Sequence, residues 1–214
     1  MGADPASPKQ LIGPLVRRDE VGELHYMTHV DNLTSILRQG LLSHAACAQV
    51  PHRSVASPEV QARRARRSIP GGLQLHEYVN LYFNARNAML FRVLRAAKRV
   101  PAAEMTILRV APVVLDLAGV VVTDINAAAD IAPRWRPVTE GLAALDPVVI
   151  YAEFWSDQTR QRMMAEALIP HRVDPSDIVG AYTVSEAAAA NLSDLAPTLA
   201  VEVKPYMFFL GPQP

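Results

Sequence analysis

Residues 25–44, HYMTHVDNLTSILRQGLLSH, determine how the fold begins. Residues 24–30 combine aromatic, β-branched and apolar side chains, which predicts a strand. Asp31 is a suitable N-cap for the helix that follows, because its side-chain oxygen can accept a hydrogen bond from a backbone N–H of the first turn. Gly40 supplies the helix stop. The stretch therefore predicts a strand, a short helix and a turn.

The rest of the chain alternates short strands and short helices without a regular strand–helix–strand rhythm. Strands are predicted at residues 78–83, 105–111, 113–124, 147–155, 163–173, 178–184 and 201–209. Helices are predicted within residues 59–67, 88–99 and 185–192. Because a doubly wound sheet needs a helix between successive strands, this order favours the α+β class. We expect a polar lead-in over residues 1–20 and a single domain over residues 21–214.

Basic residues are concentrated in one segment, although the net charge of the whole chain is zero. Residues 52–99 carry ten Lys or Arg against Glu59 and Glu77, which is a local net charge of +8. Such a segment can attract a polyanion such as a nucleic acid. A solvated helix face gives the same pattern, so charge alone leaves both interpretations open.

Several classes of protein are excluded by what the sequence lacks. No run approaches the ~18 consecutive apolar residues of a membrane span, and the N-terminus has no apolar secretory core, so we expect a cytoplasmic protein without a membrane partner. Cys47 is the single cysteine, which excludes a disulfide framework and a thiolate metal site. The Rossmann, P-loop, GxSxG and HExxH motifs are missing. His25 and His29 share a strand face without a third ligand nearby, so no metal is expected.

Five strings in order resemble the DarT family of toxins, which transfer ADP-ribose from NAD to bases of single-stranded DNA. They are HYMTHVDNLTSILRQGLLSH (25–44), EVQARRARRSIP (59–70), LHEYVNLYFNARNAML (75–90), TDINAAAD (123–130) and RQRMMAEALIP (160–170). The resemblance implies an ADP-ribosyltransferase-type α+β fold. In that fold, two packed small β-sheets with flanking helices hold NAD in the cleft between them.

The block NLYFNARNAML (80–90) is similar to the guanine-modifying branch of the family. The thymine branch has a version that reads more like PFYFAPRSPML. Positions that depart from that version include Asn80, Leu81, Asn84, Asn87 and Ala88. The resemblance therefore implies guanine as the favoured acceptor base.

A carboxylate is the central requirement of this chemistry. Cleavage of the bond between nicotinamide and ribose develops positive charge on the ribose, which a nearby carboxylate stabilises. The family places its catalytic glutamate in an Ala-Glu-hydrophobic step near the C-terminus, which implies Glu166 here. From the pattern alone, a solvent-facing glutamate at a strand end is the alternative. Glu153 in AEFW is the reserve carboxylate.

Arginine suits the pyrophosphate of NAD, because its planar guanidinium donates charge-assisted and often bidentate hydrogen bonds. DarT-like proteins use one arginine from the loop before the YVxxYF strand. This implies Arg64 for catalysis and NAD binding, with Arg63 as the alternate if the register shifts by one residue.

The first strand is expected to form the floor of the NAD site. Thr28 keeps the family position, whereas Tyr26 stands where many DarT sequences have histidine, and its hydroxyl still donates and accepts one hydrogen bond. Asn32 matches a family asparagine and either binds NAD or caps the helix. Tyr82 is the candidate for stacking on nicotinamide. Arg86 is a candidate for contact with NAD or with the base.

The acceptor site is expected in the irregular region after the TDINAAAD string. There, Trp135 is flanked by Arg134 and Arg136, and such a trio suits an unstacked base against an aromatic face and a phosphate on a guanidinium. Arg63 and Arg67 are further candidates for contact with nucleic acid.

The sequence thus predicts an enzyme that uses NAD as co-substrate and modifies a base of single-stranded DNA. By family analogy, a macrodomain antitoxin reverses the modification. Two alternatives stay open at this point. One is the same chemistry on RNA or protein, and the other is a catalytically inactive nucleic-acid-binding module, for which the basic segment alone suffices.

Overall fold

The structure is a computed structural model and describes residues 18–97 and 99–210. Most of the predicted lead-in, residues 1–20, lies outside the described residues. Its last part, Arg18–Glu20, forms a 3-10 turn, and Arg18 pairs with the Asp116 carboxylate at 3.0 Å. An ion pair therefore connects the first described residue to the 3-10 helix that contains Asp116.

Eight of the ten strands in the described part of the chain form one mixed sheet. The strands are β1 Leu24–His29, β2 Leu41–Leu42, β3 Tyr78–Tyr82, β4 Met105–Val110, β5 Val121–Thr123, β6 Trp135–Pro137, β7 Glu166–Pro170, β8 Arg172–Val173, β9 Ile178–Thr183 and β10 Val201–Val203. Their order in the sheet is β10-β9-β4-β1-β3-β7-β5-β6, and β2 pairs with β8 in a separate ribbon. Only β9 and β10 pair in parallel among these described strands.

The sheet consists of two halves that meet at a weak seam between β1 and β3. β1 pairs with β4 over six residues, and β3 pairs with β7 over five. Between β1 and β3, both fully described, His25 and Tyr82 form the one registered pair. The two predicted small sheets are thus joined into a single sheet at this contact. Because one registered pair cannot keep two strands side by side along their length, the halves diverge and leave space for a cavity.

The described residues form seven short α-helices around the sheet. They are α1 Leu33–Gln39, α2 His44–Cys47, α3 Pro58–Arg64, α4 Ala88–Phe91, α5 Val138–Ala143, α6 Pro147–Ile150 and α7 Glu186–Leu195. α1 ends at Gly40, as predicted, with a φ of 89°. A Cβ at Gly40 would overlap the carbonyl oxygen of Val173, so glycine is required there for two reasons. None of these helices has both the length and the apolar character needed to cross a bilayer.

The hydrophobic core lies in separate layers on the two faces of the sheet. Alternation along β4 sends Leu108 to one layer and Ile107 to the other, and both side chains are fully buried. The first layer includes Leu24 and the second includes Phe208. Burying each large apolar side chain contributes about 1.5–3 kcal/mol, so these layers supply the main stabilisation of the sheet.

The α+β class is confirmed, whereas several of the predicted strands differ in the structure. Residues 201–209 form a strand only at β10 and continue in the 3-10 helix Pro205–Phe208. Residues 163–173 begin in a 3-10 turn and divide into β7 and β8. Residues 147–155 contain helix α6 instead of a strand. Asp146 accepts hydrogen bonds from two backbone N–H groups of the first turn and Pro147 occupies the first helical position, so the local sequence favours a helix start. Residues 113–124 begin in the 3-10 helix Pro112–Asp116 and form a strand only at β5. Apolar runs of this length did not distinguish strand from helix.

Candidate active site

A cavity opens along the seam between β1 and β3. Its lining side chains come from the N-terminal half of the chain. β1 contributes Tyr26 and Thr28, and β3 contributes Tyr78, Asn80 and Tyr82. The structure therefore brings two predicted residues of β1 and one of β3 to the same cavity.

The inner end of the cavity is closed by a buried ion pair. Arg64, the last residue of α3, lines the cavity and is 4% exposed, whereas Glu166, the first residue of β7, is fully buried. Nη1 of Arg64 donates to Oε1 and Oε2 of Glu166 at 3.3 and 3.1 Å, and Nη2 donates to Oε2 at 3.1 Å. Charge-assisted pairs with several donors on one carboxylate are strong and directional. Arg64 thus lies between Glu166 and the open cavity.

Glu166 is held by further contacts to its backbone and to its carboxylate. Its backbone N–H donates to Thr123 Oγ1 in β5 at 3.1 Å, and Tyr82 is its cross-strand partner in β3. Asn126 Nδ2 donates to Oε1 at 2.8 Å, and the backbone N–H of Ala127 points to the same oxygen at 3.4 Å. The TDINAAAD string therefore folds around the carboxylate. Sequence reasoning noticed the string but did not assign this contact to Asn126.

Burial shifts the ionisation of the groups around the pair. Burial raises the pKa of the Glu166 carboxyl above its ordinary value, and the Arg64 guanidinium opposes that rise. The pKa of Tyr82 is also raised, by burial and by the charge of Glu166. Burial raises the pKa of Tyr26 to about 12. Both tyrosines therefore keep their hydroxyl protons at neutral pH and can donate hydrogen bonds.

Asn32 fixes one edge of the cavity instead of capping α1. Its Nδ2 donates to the Arg53 carbonyl at 2.9 Å and to Thr28 Oγ1 at 3.0 Å, and its Oδ1 accepts from the Arg53 N–H at 2.7 Å. Residues 52–57, which line the cavity, are thereby attached to the end of β1. Asp31, predicted as the helix N-cap, lies in a 3-10 turn before α1 and pairs with the Arg53 guanidinium at 3.2 Å. The tertiary contact has replaced the local capping role.

Arg86 and Glu153 lie away from the cavity. The Arg86 guanidinium stacks over the rings of Tyr206 at 4.6 Å and Phe209 at 4.3 Å, and its Nε donates to the Tyr206 carbonyl at 3.2 Å. Its Nη1 donates to the backbone carbonyl of Glu153, whose side chain is exposed. The structure thus brings neither residue to the buried ion pair.

The predicted Arg-Trp-Arg trio lies on and beside β6. Trp135 is half-buried and packs against an apolar cluster that includes Leu168 of β7. The guanidinium groups of Arg134 and Arg136 each lie 3.9 Å from the Asp124 carboxylate. The Arg134 side chain is 74% exposed, so it is the member of the trio that is most accessible to a ligand.

Arg63 and Arg67 contact the loop that surrounds the Glu166 carboxylate. Arg67 donates through both terminal nitrogens to the backbone carbonyls of Ala127 and Ala129, the first at 2.7 Å. Arg63 lies 3.8 Å from the exposed Asp130 carboxylate. These arginines therefore order the segment that positions Asn126.

Two histidines line the cavity that the sequence did not assign to the site; His76 was interpreted as structural, and His44 was given no role. His44 and His76 line it with ring centroids 4.1 Å apart. His76 Nε2 lies 3.0 Å from Gln61 Oε1, and since that oxygen can only accept, His76 carries a proton on Nε2. Burial lowers the pKa of both imidazoles, which favours the neutral forms at neutral pH. Nothing in the sequence links the two positions, which only the folding of α2 against the turn before β3 brings together.

The architecture is that of an ADP-ribosyltransferase, since solved structures of that class superimpose on most of the chain. A family model described as "ssDNA thymidine ADP-ribosyltransferase, DarT" matches residues 25–209. The chain belongs to the DarT family.

Three comparisons illustrate the similarity. The chain is 31% identical over 194 residues to a "DNA ADP-ribosyl transferase-DNA ADP-ribosyl glycohydrolase fusion protein" of Thermosipho africanus (strain H17ap60334), which covers 88% of this chain and 50% of that protein. The chain thus spans about half the length of the fusion protein. The structure of "Thermus sp. 2.9 DarT in complex with ADP-ribosylated ssDNA" gives a TM-score of 0.79 at 27% identity and covers 88% of this chain and 96% of that one. The same Thermus protein in complex with NAD+ gives 0.73 at 26% identity, with 88% and 98% covered.

Proposed function

We propose that this protein transfers ADP-ribose from NAD to a base of single-stranded DNA and releases nicotinamide. The observation that carries the proposal is the buried pair of Arg64 and Glu166 at the inner end of the cavity. Relatives that are named DNA ADP-ribosyl transferases, and a similar structure that contains ADP-ribosylated DNA, support it.

The cavity suits a dinucleotide that carries two phosphates. Guanidinium groups of Arg53, Arg64, Arg92 and Arg99 belong to its lining and can neutralise a diphosphate. The aromatic ring of Tyr82 provides a flat apolar face for a nicotinamide ring. NAD supplies the ADP-ribosyl group and the leaving group of the reaction. The structurally similar Thermus protein was solved in complex with NAD+, which supports this assignment.

Glu166 is proposed as the catalytic carboxylate. Its negative charge stabilises the positive charge that develops on the ribose as the bond to nicotinamide breaks. The carboxylate also orients the attacking base and accepts a proton from it, so that the charge balance closes when the new bond to the ribose carbon forms. Arg64 positions the carboxylate and shields it from water. Asn126 keeps Oε1 in a fixed direction through its hydrogen bond.

Guanine stays the predicted acceptor base, and one side chain links that prediction to the cavity. Of the positions that separate the two family patterns, Asn80 lines the cavity, whereas Leu81 is buried in the core. Asn84 donates to the Ile150 carbonyl at 2.7 Å, and Asn87 caps α4. Thymidine, which the family description names, is the competing acceptor.

A macrodomain antitoxin is proposed as the partner that removes the modification. The fusion of a transferase with a DNA ADP-ribosyl glycohydrolase in one relative supports a functional link between the two activities. Co-expression tests it directly. A DNA ADP-ribosyl glycohydrolase is expected to restore growth of cells that express this protein, and an inactive glycohydrolase is not.

The transfer is tested with NAD and four oligonucleotides, each of which lacks one base type. Mass spectrometry is expected to detect an added ADP-ribose with the native protein and none with Glu166→Ala. If the adduct is lost only on the strand without guanine, guanine is confirmed as the acceptor base. If it is lost only on the strand without thymine, the acceptor is thymine and the prediction of guanine is wrong. An adduct on RNA or on protein alone contradicts DNA as the acceptor. Binding without any adduct, unchanged in Glu166→Ala, means an inactive nucleic-acid-binding module.

A further inference from the structure

A cluster of aromatic side chains forms a surface outside the cavity. Phe91, Trp155 and Phe209 contact one another edge to face, with ring centroids 5.5 Å apart for Phe91 and Trp155, 5.1 Å for Phe91 and Phe209, and 5.9 Å for Trp155 and Phe209. Phe154 and Tyr206 adjoin this cluster along the chain. We call these five residues the aromatic surface. Edge-to-face contacts hold the rings of Phe91, Trp155 and Phe209 in fixed orientations, so this part of the surface is preorganised.

Two arginines hold the C-terminal part of the aromatic surface in place. Arg86 lies over the rings of both Tyr206 and Phe209, and Arg95 Nη2 donates to the Phe209 carbonyl at 3.0 Å. Arg86 also donates to the backbone carbonyl of Glu153, directly before Phe154. Cation–π stacking and these hydrogen bonds connect the C-terminal segment to the loop after α6.

The exposure of these rings is the feature that packing alone does not explain. Phe154 is 76% exposed, and Phe91 is 38% exposed. Tyr151, three residues before Phe154, is 42% exposed. Large aromatic side chains on adjacent, ordered positions at the surface mark a binding site more often than a single exposed apolar residue does.

The aromatic surface borders the segment that leads into the catalytic glutamate. α4, which ends at Phe91, packs against the turn Arg162–Met164, and Glu166 follows two residues later. Met89 and Arg92, close to Phe91 in the same segment, line the nucleotide cavity, so the aromatic surface adjoins that cavity as well. A strand bound to the aromatic surface therefore lies next to bound NAD and to the segment that leads into Glu166.

Charge on this side is compatible with a polyanion. Arg92 and Arg95 are exposed beside Phe91 on the same helical segment. Arg160 and Arg162 are also exposed and pair with acidic neighbours at 3.6 and 3.1 Å. Together with Arg86, these five guanidinium groups outnumber the four local carboxylates of Glu59, Asp146, Glu153 and Asp157. The combination of aromatic faces with guanidinium groups is what single-stranded nucleic acid recognises.

We propose that the aromatic surface binds the nucleotides that flank the acceptor base in a single strand, by stacking their bases on Phe154 and its neighbours. This assignment rests on the proposed function, because it names where the acceptor strand lies. It differs from the Arg-Trp-Arg trio on β6 and adds a binding surface to it. Stacking is tolerant of base identity, so the surface contributes affinity and strand direction and leaves base choice to the reacting site.

The first test compares Phe154→Ala with Val148→Ala in oligonucleotide binding by fluorescence anisotropy, without NAD. Val148 is 69% exposed on α6 and offers apolar area without a ring, which makes it the matched control. Phe154→Ala is expected to weaken binding of single-stranded DNA about tenfold, and Val148→Ala to leave it unchanged. Because stacking releases no counterions, the slope of log affinity against log salt stays the same in Phe154→Ala. Equal affinity of native protein and Phe154→Ala overturns the proposal.

The second test uses the two tryptophans of the chain as separate reporters. In Trp135→Phe, the remaining emission comes from Trp155, and single-stranded DNA is expected to quench it. An oligonucleotide with abasic sites on both sides of one acceptor base is expected to lose most of that quenching. Quenching that is equally strong with the abasic strand contradicts stacking of the flanking bases. Neither binding test involves NAD, so the results are independent of the transfer assay. Absence of an ADP-ribose adduct refutes the proposed function, whereas absence of the binding effects refutes the aromatic surface as a DNA-binding site.

Discussion

Arg64 and Glu166 stand 102 positions apart in the sequence and meet inside the protein through three hydrogen bonds of 3.1–3.3 Å. α3 delivers the arginine, and β7, the strand next to β3 in the sheet, delivers the glutamate. The cost of removing both charges from water largely offsets their attraction, so such a pair contributes little net stability. The positioning of a carboxylate is therefore the better explanation of the pair, and it leads to the predictions below.

Removing one partner of the pair is expected to destabilise the fold. Arg64→Ala leaves the carboxylate buried and uncompensated, which is expected to lower the free energy of unfolding by about 3–5 kcal/mol. The double variant Arg64→Met/Glu166→Leu is expected to recover much of that loss, because no unpaired charge remains. Urea denaturation measures both. A single variant as stable as the native protein would show that water or another cation reaches Glu166.

The pH dependence of transfer is expected to follow the Glu166 carboxyl. The carboxyl must be ionised to act, and its pKa is raised, so activity is lost as the pH falls through that raised value. Asn126 stabilises the ionised form through its hydrogen bond. Asn126→Ala is therefore expected to raise this pKa further and to move the acid side of the kcat/KM profile to higher pH. A profile that moves to lower pH, or does not move, contradicts the assignment.

Asn32 is expected to affect NAD binding through residues 52–57. Asn32→Ala removes its hydrogen bonds to the Arg53 backbone and to Thr28, so the segment detaches from β1. We expect the KM for NAD to rise several-fold and backbone hydrogen exchange over 52–57 to accelerate, at a stability cost of about 1–3 kcal/mol. A rise in KM with unchanged exchange would instead indicate that Asn32 contacts NAD directly.

His25 is expected to make the fold acid-sensitive. Burial lowers its pKa to about 4, and the Glu23 carboxylate 3.9 Å away opposes that shift. A lowered folded-state pKa means that the stability contribution is present above pH ~6.5, the unfolded value, and is lost as the pH falls towards 4. The loss amounts to at most about 3 kcal/mol. Chemical denaturation at pH 7 and pH 4.5 is expected to show a smaller difference for His25→Phe than for the native protein.

The exposed guanidinium of Arg134 is expected to contribute to DNA binding through charge alone. Arg134→Ala is expected to weaken binding of all oligonucleotides by a similar factor and to reduce the salt slope by about 1. Arg67→Ala is the contrasting variant, because Arg67 holds the backbone of Ala127 and Ala129. That variant is expected to reduce transfer more than binding. An unchanged salt slope in Arg134→Ala would remove it from the acceptor site.

Some of the local structure was readable from short patterns. Gly40 ends α1 because glycine tolerates the positive φ that the chain adopts there. Ser185 caps α7 because its side-chain oxygen accepts a hydrogen bond from a backbone N–H of the first turn. Other patterns were ambiguous. The apolar run at 147–155 predicted a strand, but Asp146 and Pro147 start a helix there.

The sequence by itself determined the α+β class and the family, since these depend on local pattern and on strings that resemble known ones. It indicated Arg64 and Glu166 as site residues and left Arg63 and Glu153 as alternatives. Only the tertiary structure decided that Arg64 contacts Glu166, that Asn126 donates to the same carboxylate, and that Asn32 serves residues 52–57 instead of its helix. Arg86 lies within a string that resembles the family and was a candidate for contact with NAD or the base. In the structure its guanidinium stacks on aromatic rings outside the cavity. The physical reason is the same throughout: a side chain takes the partner that the packing of distant strands and loops places within hydrogen-bond reach, and sequence spacing does not encode that distance.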